Sequence, residues 1–242
     1  MLAHLGFPAL ATTSSGMAWS FGERDNTVTL EAALEHIRGI AAAVTIPVNA
    51  DFEGGFAVEP ADVAAHVTRC VATGVAGLSI EDSTGHPDAP LHDFALAVKR
   101  IRAAREAIDR SGTGVLLTGR SEGFICGRPD IAETIRRLQA YAKAGAECLY
   151  APGLRALEDI AAVVRAVAPH PVNVLVSSPF ATVAQLAELG VRRISVGGAL
   201  ARAAWTGAIS AAREIREAGT FSQLGAAVNS ATIESLFIPP AR

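Results

Sequence analysis

Short β-branched runs alternate with long amphipathic stretches almost to the end of this chain, and that alternation constrains its fold more than any other feature. Strands are expected at Ala9–Thr13, Ile46–Asp51, Gly77–Ile80, Val115–Arg120, Cys148–Ala151, Val172–Leu175 and Arg193–Val196. Helices are expected over Thr29–Val44, Pro60–Thr73, His92–Ser111, Asp130–Gly145, Ala156–Val167, Thr182–Glu188 and Ala199–Ala218. Pro60 and Pro129 stand at or near helix starts, while Gly74, Gly145 and Gly190 follow helix ends. Pro152-Gly153 and Gly197-Gly198 mark tight turns after strands. Regular strand–helix alternation implies parallel pairing through right-handed crossovers. A closed barrel and an open doubly wound sheet both satisfy the pattern. Polar and glycine residues cluster after nearly every strand, as a ring of βα loops requires, and this favours the barrel.

The length of 242 residues suits one such barrel, which typically takes roughly 250. Residues 1–242 therefore read as a single α/β domain, a (β/α)8 TIM-type barrel with a C-terminal helical segment. Aromatic content is only 5%, so Ala, Val, Leu and Ile must build most of the core. The count of strands falls short: seven are legible, the first preceded only by a helical fragment at Met1–Gly6. A barrel lacking its first strand exposes two unpaired edges. Another segment fills the gap, or a neighbouring chain does, or the start has been placed too late.

A formal charge of -3 and a pI near 6.1 leave no basic footprint for nucleic acid. No apolar run is long enough to span a bilayer, and the N-terminus lacks a signal-peptide layout. Cys70, Cys126 and Cys148 are sparse, odd in number and without ligand spacing, which reads as reduced thiols in a cytoplasmic protein.

The expected strand ends carry an unusual set of polar groups: Ser14-Ser15-Gly16, Asn49 to Gly55, Glu81-Asp82, Arg120-Ser121-Glu122, Asn173 and Ser195. Each follows an apolar run, so all should project from one face of the barrel. Several buried carboxylates on one rim require a cation or shared protons. Mg2+ suits such a site, because it takes oxygen ligands, keeps several waters and uses only one or two carboxylates directly. Arg120 among these acids offers a fork for a substrate carboxylate.

Five segments, "GFPALATTSSGMAWSFGERD", "PVNADFEGGF", "GVAGLSIEDSTGH", "YAKAGAECLYAPGL" and "RRISVGGALARAAW", resemble the isocitrate lyase/phosphoenolpyruvate mutase superfamily, in order and over nearly the whole chain. The likeness is greatest to its phosphonomutase-like branch. It implies a (β/α)8 barrel, Mg2+ (with Mn2+ as an alternative), an enolate intermediate, and homodimers or homotetramers that exchange the last helix. It also implies roles. Ser14, Ser15 and Gly16 match the loop whose N–H groups hold the substrate's carboxylate and carbonyl. Asp25 matches an aspartate near the reacting centre. Asn49 and Asp51 match the two acids of a metal-anchoring D-x-D. Glu81 matches an acidic residue of the metal shell, with Asp82 beside it. Arg120 matches the arginine that pairs with the substrate carboxylate, and Asn173 falls near a position at the substrate's distal end.

The departures narrow the activity. Asn49 replaces an acid, which should weaken the metal site unless Glu53 compensates. The loop after Glu81-Asp82, "STGHPDAPLHD", lacks both the lyases' acidic cysteine and the mutases' lysine- and asparagine-bearing gate. His86 is its obvious titratable group and reads either as a proton shuttle or as a solvated loop histidine. Glu81-Asp82 can also be a cap or ion pair, and Asn173 a strand-end residue satisfying backbone. The expectation is a Mg2+-dependent lyase that breaks a C–C bond, or decarboxylates, in a small 2-oxo or 2-hydroxy (di)carboxylate. Phosphonopyruvate-type C–P hydrolysis or phosphonomutation is one alternative. A non-catalytic 2-oxo acid binder with a degenerate metal site is the other.

Overall fold

The computed structural model describes residues 1–237. Seven strands, β1 (Leu10–Ala11), β2 (Val48–Asp51), β3 (Gly77–Glu81), β4 (Leu116–Arg120), β5 (Cys148–Tyr150), β6 (Val172–Leu175) and β7 (Arg193–Ser195), form one sheet in sequential order, and every pair is parallel. The helices are α1 (Ser14–Ser20), α2 (Leu30–Ala42), α3 (Pro60–Val71), α4 (Phe94–Ser111), α5 (Ile131–Lys143), α6 (Leu157–Val167), α7 (Val183–Glu188), α8 (Ala199–Ala218) and α9 (Ser230–Ser235). The result is a nearly closed TIM-type barrel of seven strands, with β1 and β7 as its edges. The strands lie where the hydrophobic pattern put them, except that the first shortens to Leu10–Ala11 and Met1–Gly6 forms turns rather than helix. The helix at Ser14–Ser20 was not expected from the sequence.

Alternation along each strand separates two environments. Val48, Ala50, Leu78, Ile80, Leu117, Leu149, Val172 and Val174 join the aliphatic core shared with the helices. The residues between them face the barrel axis, and here that interior is polar: Arg193 of β7 reaches Asn49 of β2, Thr118 of β4 and Asn173 of β6. Helix starts are secured by side chains, as the sequence would require: Thr29, Asp93 and Asp130 accept N–H groups of the first turn, and Thr182 with Gln185 forms a capping box.

Near the sheet's two edges, the first turns of α1 and α8 come together. A Cβ on Gly198 would lie 2.7 Å from Ser15 Oγ and 3.4 Å from the Trp19 ring, so a larger residue there would require the Ser15 hydroxyl to turn away. The long helix α8 buries none of its residues, and Leu200, Trp205, Ile209 and Ile215 stand exposed on it. Among the described residues, no helix is long and apolar enough to cross a membrane.

Candidate active site

Arg120 ends β4 directly opposite Glu81, the last residue of β3, in the sheet register. Its Nη1 lies 3.0 Å from Glu81 Oε2 and 3.2 Å from Asp51 Oδ1 at the tip of β2. Nε and Nη2 both donate to the Glu122 carboxylate, the latter at 3.2 Å. The guanidinium also lies over the Tyr150 ring, 5.2 Å from its centroid. One cation is therefore shared by acids from three strand ends. Burial opposes the charge on Arg120, but Glu81, Glu122 and Asp51 outweigh that cost and hold it firmly protonated. One positive charge does not satisfy three carboxylates. Burial pushes Glu81 well above the usual carboxylate range, and repulsion from Glu122, Asp51 and Glu53 adds to it against the pull of Arg120. Burial likewise raises Glu122, again opposed by Arg120.

Glu53 completes the acidic group. Its backbone is left-handed at φ 48, a costly conformation for a side chain with a Cβ, and strain of this kind concentrates at functional sites. Its carbonyl accepts Glu81 N–H at 3.0 Å, which ties the β2 loop to β3. Arg100, buried on α4, donates to the carbonyls of Gly54, Ala57 and Val58 and fixes the rest of that loop. The Glu53 carboxyl is raised to about 7, first by burial and then by Asp51 and Asp25, with Arg120 acting in the opposite direction.

Two expected site residues belong elsewhere. Asn49 does not join the acids: it faces the same way as Asp51 but sits deeper in the barrel, where its Oδ1 accepts from Arg193 at 3.3 Å. Beyond the end of β2 at Asp51, the turn through Glu53, left-handed at φ 48, brings that carboxyl near Asp51 instead. Asp82 is buried but turned outward from Glu81, toward α5. Its Oδ1 accepts Glu122 N–H at 2.7 Å, and its Oδ2 accepts from Arg137 at 3.1 Å and from the Tyr141 hydroxyl at 2.5 Å. With both oxygens committed, Asp82 anchors α5 and the Glu122 backbone and is not placed to ligate a metal.

The remaining candidates divide by position. Ser14 N–H donates to Asp51 Oδ2 at 3.0 Å, so the Ser14–Gly16 turn abuts the acids. A Cβ on Gly16 would lie 2.6 Å from Thr13 Cγ2. Asp25 is exposed, in the loop after α1, yet close enough to raise Glu53. Asn173 is buried within the polar interior, bonded through Oδ1 to Arg193 and through Nδ2 to Ser195 Oγ. His86 lies exposed in a loop closed on itself by the Thr84 N–H to Pro90 O bond at 3.0 Å. Nothing in its surroundings draws it to the acids.

Among the described residues, no three His, Cys, Asp or Glu side chains approach closely enough to enclose an ion by themselves. The donor set nonetheless fits Mg2+, which needs only one or two carboxylates and keeps waters in its other positions. Burial is the first cause of the upward displacement of Glu81, Glu53 and Glu122, and repulsion from neighbouring acids adds to it, which a divalent ion would relieve.

Residues 1–216 match the family model of phosphoenolpyruvate phosphomutase. A Burkholderia cenocepacia J2315 protein, thought to be a lyase or mutase, is 45% identical and superposes with a TM-score of 0.94, over 99% of this chain and 86% of its own. A phosphonopyruvate hydrolase solved with oxalate and Mg2+ is 26% identical with a TM-score of 0.84, over 97% of this chain and 84% of that one. The 2-methylisocitrate lyase of Escherichia coli K12 is 32% identical over 153 residues, which span 60% of this chain and 50% of that enzyme.

Proposed function

Because the chain belongs to the phosphoenolpyruvate phosphomutase family, we propose that it is a Mg2+-dependent lyase that cleaves a C–C bond in a small 2-oxo or 2-hydroxy (di)carboxylate. The observation that carries this reading is the sharing of Arg120 among Asp51, Glu81 and Glu122 at one barrel mouth. Asp51 and Glu81, with Glu53 beside them, are the residues that would hold the ion, directly or through waters. When bound, Mg2+ supplies Lewis-acid polarisation of the substrate carbonyl.

The chain's own groups do the rest. Arg120 presents a planar fork to the substrate's 1-carboxylate, and Tyr150 and Glu122 keep that fork in plane. With a substrate carboxylate beside it, Arg120 would exchange its bonds to Asp51 and Glu81 for the substrate, leaving those two acids to hold the ion. The Ser14 N–H, freed from Asp51, turns to the substrate's oxygens along with its neighbours in the Ser14–Gly16 turn. In a 2-oxo diacid, the bond from C3 to the distal carboxylate breaks and CO2 departs. Its electron pair enters the C2–C3 enolate, whose oxygen faces the fixed donors, and a proton from water completes the product at C3. No cysteine stands in the Ser83–Leu91 loop to serve as acid, which is why decarboxylation or a related C–C cleavage is favoured over the isocitrate-type reaction. The neutral Asn49 does not argue for a degenerate site, since Glu53 supplies the second acid of the β2 tip.

The exposed apolar side of α8, continued by Phe221 and Leu224, supports a homodimer or homotetramer in which this last long helix packs on a second copy.

The test is a panel of 2-oxo and 2-hydroxy diacids with Mg2+, followed for pyruvate, glyoxylate and phosphate. Release of pyruvate or glyoxylate is expected. Phosphate from phosphonopyruvate would instead favour C–P hydrolysis, in line with the likeness to that hydrolase. Thermal stabilisation by 2-oxo acids without any turnover would overturn the lyase reading.

A further inference from the structure

The Ser121 hydroxyl takes no part in the cluster of acids around Arg120, although Ser121 stands between Arg120 and Glu122 in the chain. The residue is 1% exposed, and its Oγ finds no hydrogen-bond partner in the protein. A buried hydroxyl left in this way costs the fold stability, so its retention points to a use. Ser121 lines a cavity of about 590 Å³ between residues 88–91, residues 127–130 and the start of α5. That volume lies within the roughly 300–1,000 Å³ of small-molecule sites. Asp51, Glu81 and Arg120 are not among its walls, so it is a different space from the barrel mouth.

The buried floor of the cavity offers hydrogens. Thr134, also buried, lines it with an Oγ1 that makes no hydrogen bond among the described residues. Arg137 gives Nε to Glu133 at 2.8 Å and Nη1 to Asp82 and the His92 carbonyl, each at 3.1 Å, which leaves Nη2 uncommitted among the described residues. The neighbouring carboxylates are already engaged: Glu133 accepts from Arg136 as well as Arg137, and Asp82 accepts from Glu122 N–H, Arg137 and Tyr141. Two hydroxyls and one guanidinium N–H therefore call for acceptor oxygens. The exposed entrance sets the charge. Arg128 stands there and joins no ion pair among the described residues. Asp88 and Asp130 are exposed on the same entrance, and Asp130 Oδ1 caps α5 by accepting Glu133 N–H at 3.0 Å. Arg128 draws one negative charge, and the two acids oppose a second.

We infer that this cavity is a second ligand site, for a small monocarboxylate whose oxygens rest on Ser121, Thr134 and Arg137 Nη2. The inference does not depend on the chemistry proposed for the barrel mouth.

The experiment titrates the full chain with pyruvate in EDTA and follows the backbone amide resonances of Gly123, Gly127 and Arg128. Saturable shifts are expected, with a Kd on the order of 1 mM, the scale of one charge-assisted and two neutral hydrogen bonds. Malonate, which carries a second charge, should bind about threefold or more weakly, and glycerol, which carries none, should leave the three resonances in place. Ser121→Ala should weaken pyruvate by about fivefold, the loss of one neutral hydrogen bond, and Arg128→Ala by about threefold, the loss of an exposed charge. Because the hydroxyl has no partner in the protein, the ligand-free Ser121→Ala variant should melt no lower than the parent. A lower melting temperature in that variant makes the hydroxyl structural and overturns the inference. So does the absence of saturable shifts with pyruvate, an equal response to glycerol, or undiminished binding in Ser121→Ala.

Discussion

Glu81 and Arg120 are register partners at the tips of adjacent parallel strands, joined by a 3.0 Å ion pair at the mouth of the barrel. Their pairing gives the metal-free rim its compensation, because Arg120 spreads one charge over three acids. That same pairing sets the guanidinium against an incoming cation. Arg120→Gln should therefore tighten Mg2+ binding, by about tenfold if one close like-charge contact is relieved. Oxalate binding and turnover should be lost in the same variant. Titration calorimetry with Mg2+ alone and then with oxalate reads both effects, and a fall in Mg2+ affinity would contradict this electrostatic account.

Stability in the metal-free state should depend on pH with a negative slope. Glu53 binds its proton up to about 7 in the folded chain, compared with 4.5 for its unperturbed form. A raised carboxyl pKa means the folded state holds more protons than the unfolded state across that interval, so stability declines as pH rises from about 4.5 to about 7. In EDTA the melting temperature should follow this decline, and Glu53→Gln should flatten it. Saturating Mg2+ should flatten it too, since a bound cation favours the ionised acids.

Asp82 holds α5 to the strand tips through Arg137 and Tyr141. Removing its charge leaves the buried Arg137 guanidinium under-compensated, at a cost of about 3 kcal/mol or more. Asp82→Asn should therefore lower the denaturation midpoint markedly, while Mg2+ affinity, measured where the variant is folded, stays near the parent's. A selective loss of Mg2+ binding with unchanged stability would place Asp82 in the metal shell instead.

Asn49→Asp offers the complementary check. An acid at this depth would pair with Arg193 rather than add a ligand at the rim. Mg2+ affinity should change by less than about threefold, the scale of a screened charge further than a direct contact. A large gain would restore the D-x-D assignment.

How much of this was legible in the sequence follows from what each signal encodes. The strand positions were readable because buried parallel strands need continuous apolar runs, and those runs are bounded by glycine and proline. The short helix at Ser14–Ser20 was not, because seven residues carry too few turns for a 3.6-residue period to register. The constellation of Asp51, Glu81 and Arg120 was readable from their places at strand ends. The depth of Asn49 was not, because alternation puts residues 49 and 51 on one face without saying which reaches the rim, and Glu53 joins Asp51 only through the left-handed turn after β2. Strand alternation also opposes Glu81 and Asp82, so only one of the two can face the axis. Arg193 left no local signal at all. Its partners on β2, β4 and β6 are brought to it only by closure of the barrel.

The most direct measurement is turnover of the best diacid substrate by EDTA-stripped protein, before and after Mg2+ is restored, in the parent and in Asp51→Asn and Glu81→Gln. The account predicts no turnover without the ion, recovery in the parent with Mg2+, and losses of at least about a hundredfold in both variants at any accessible Mg2+ concentration. Undiminished turnover in excess EDTA, or in either variant, would contradict it.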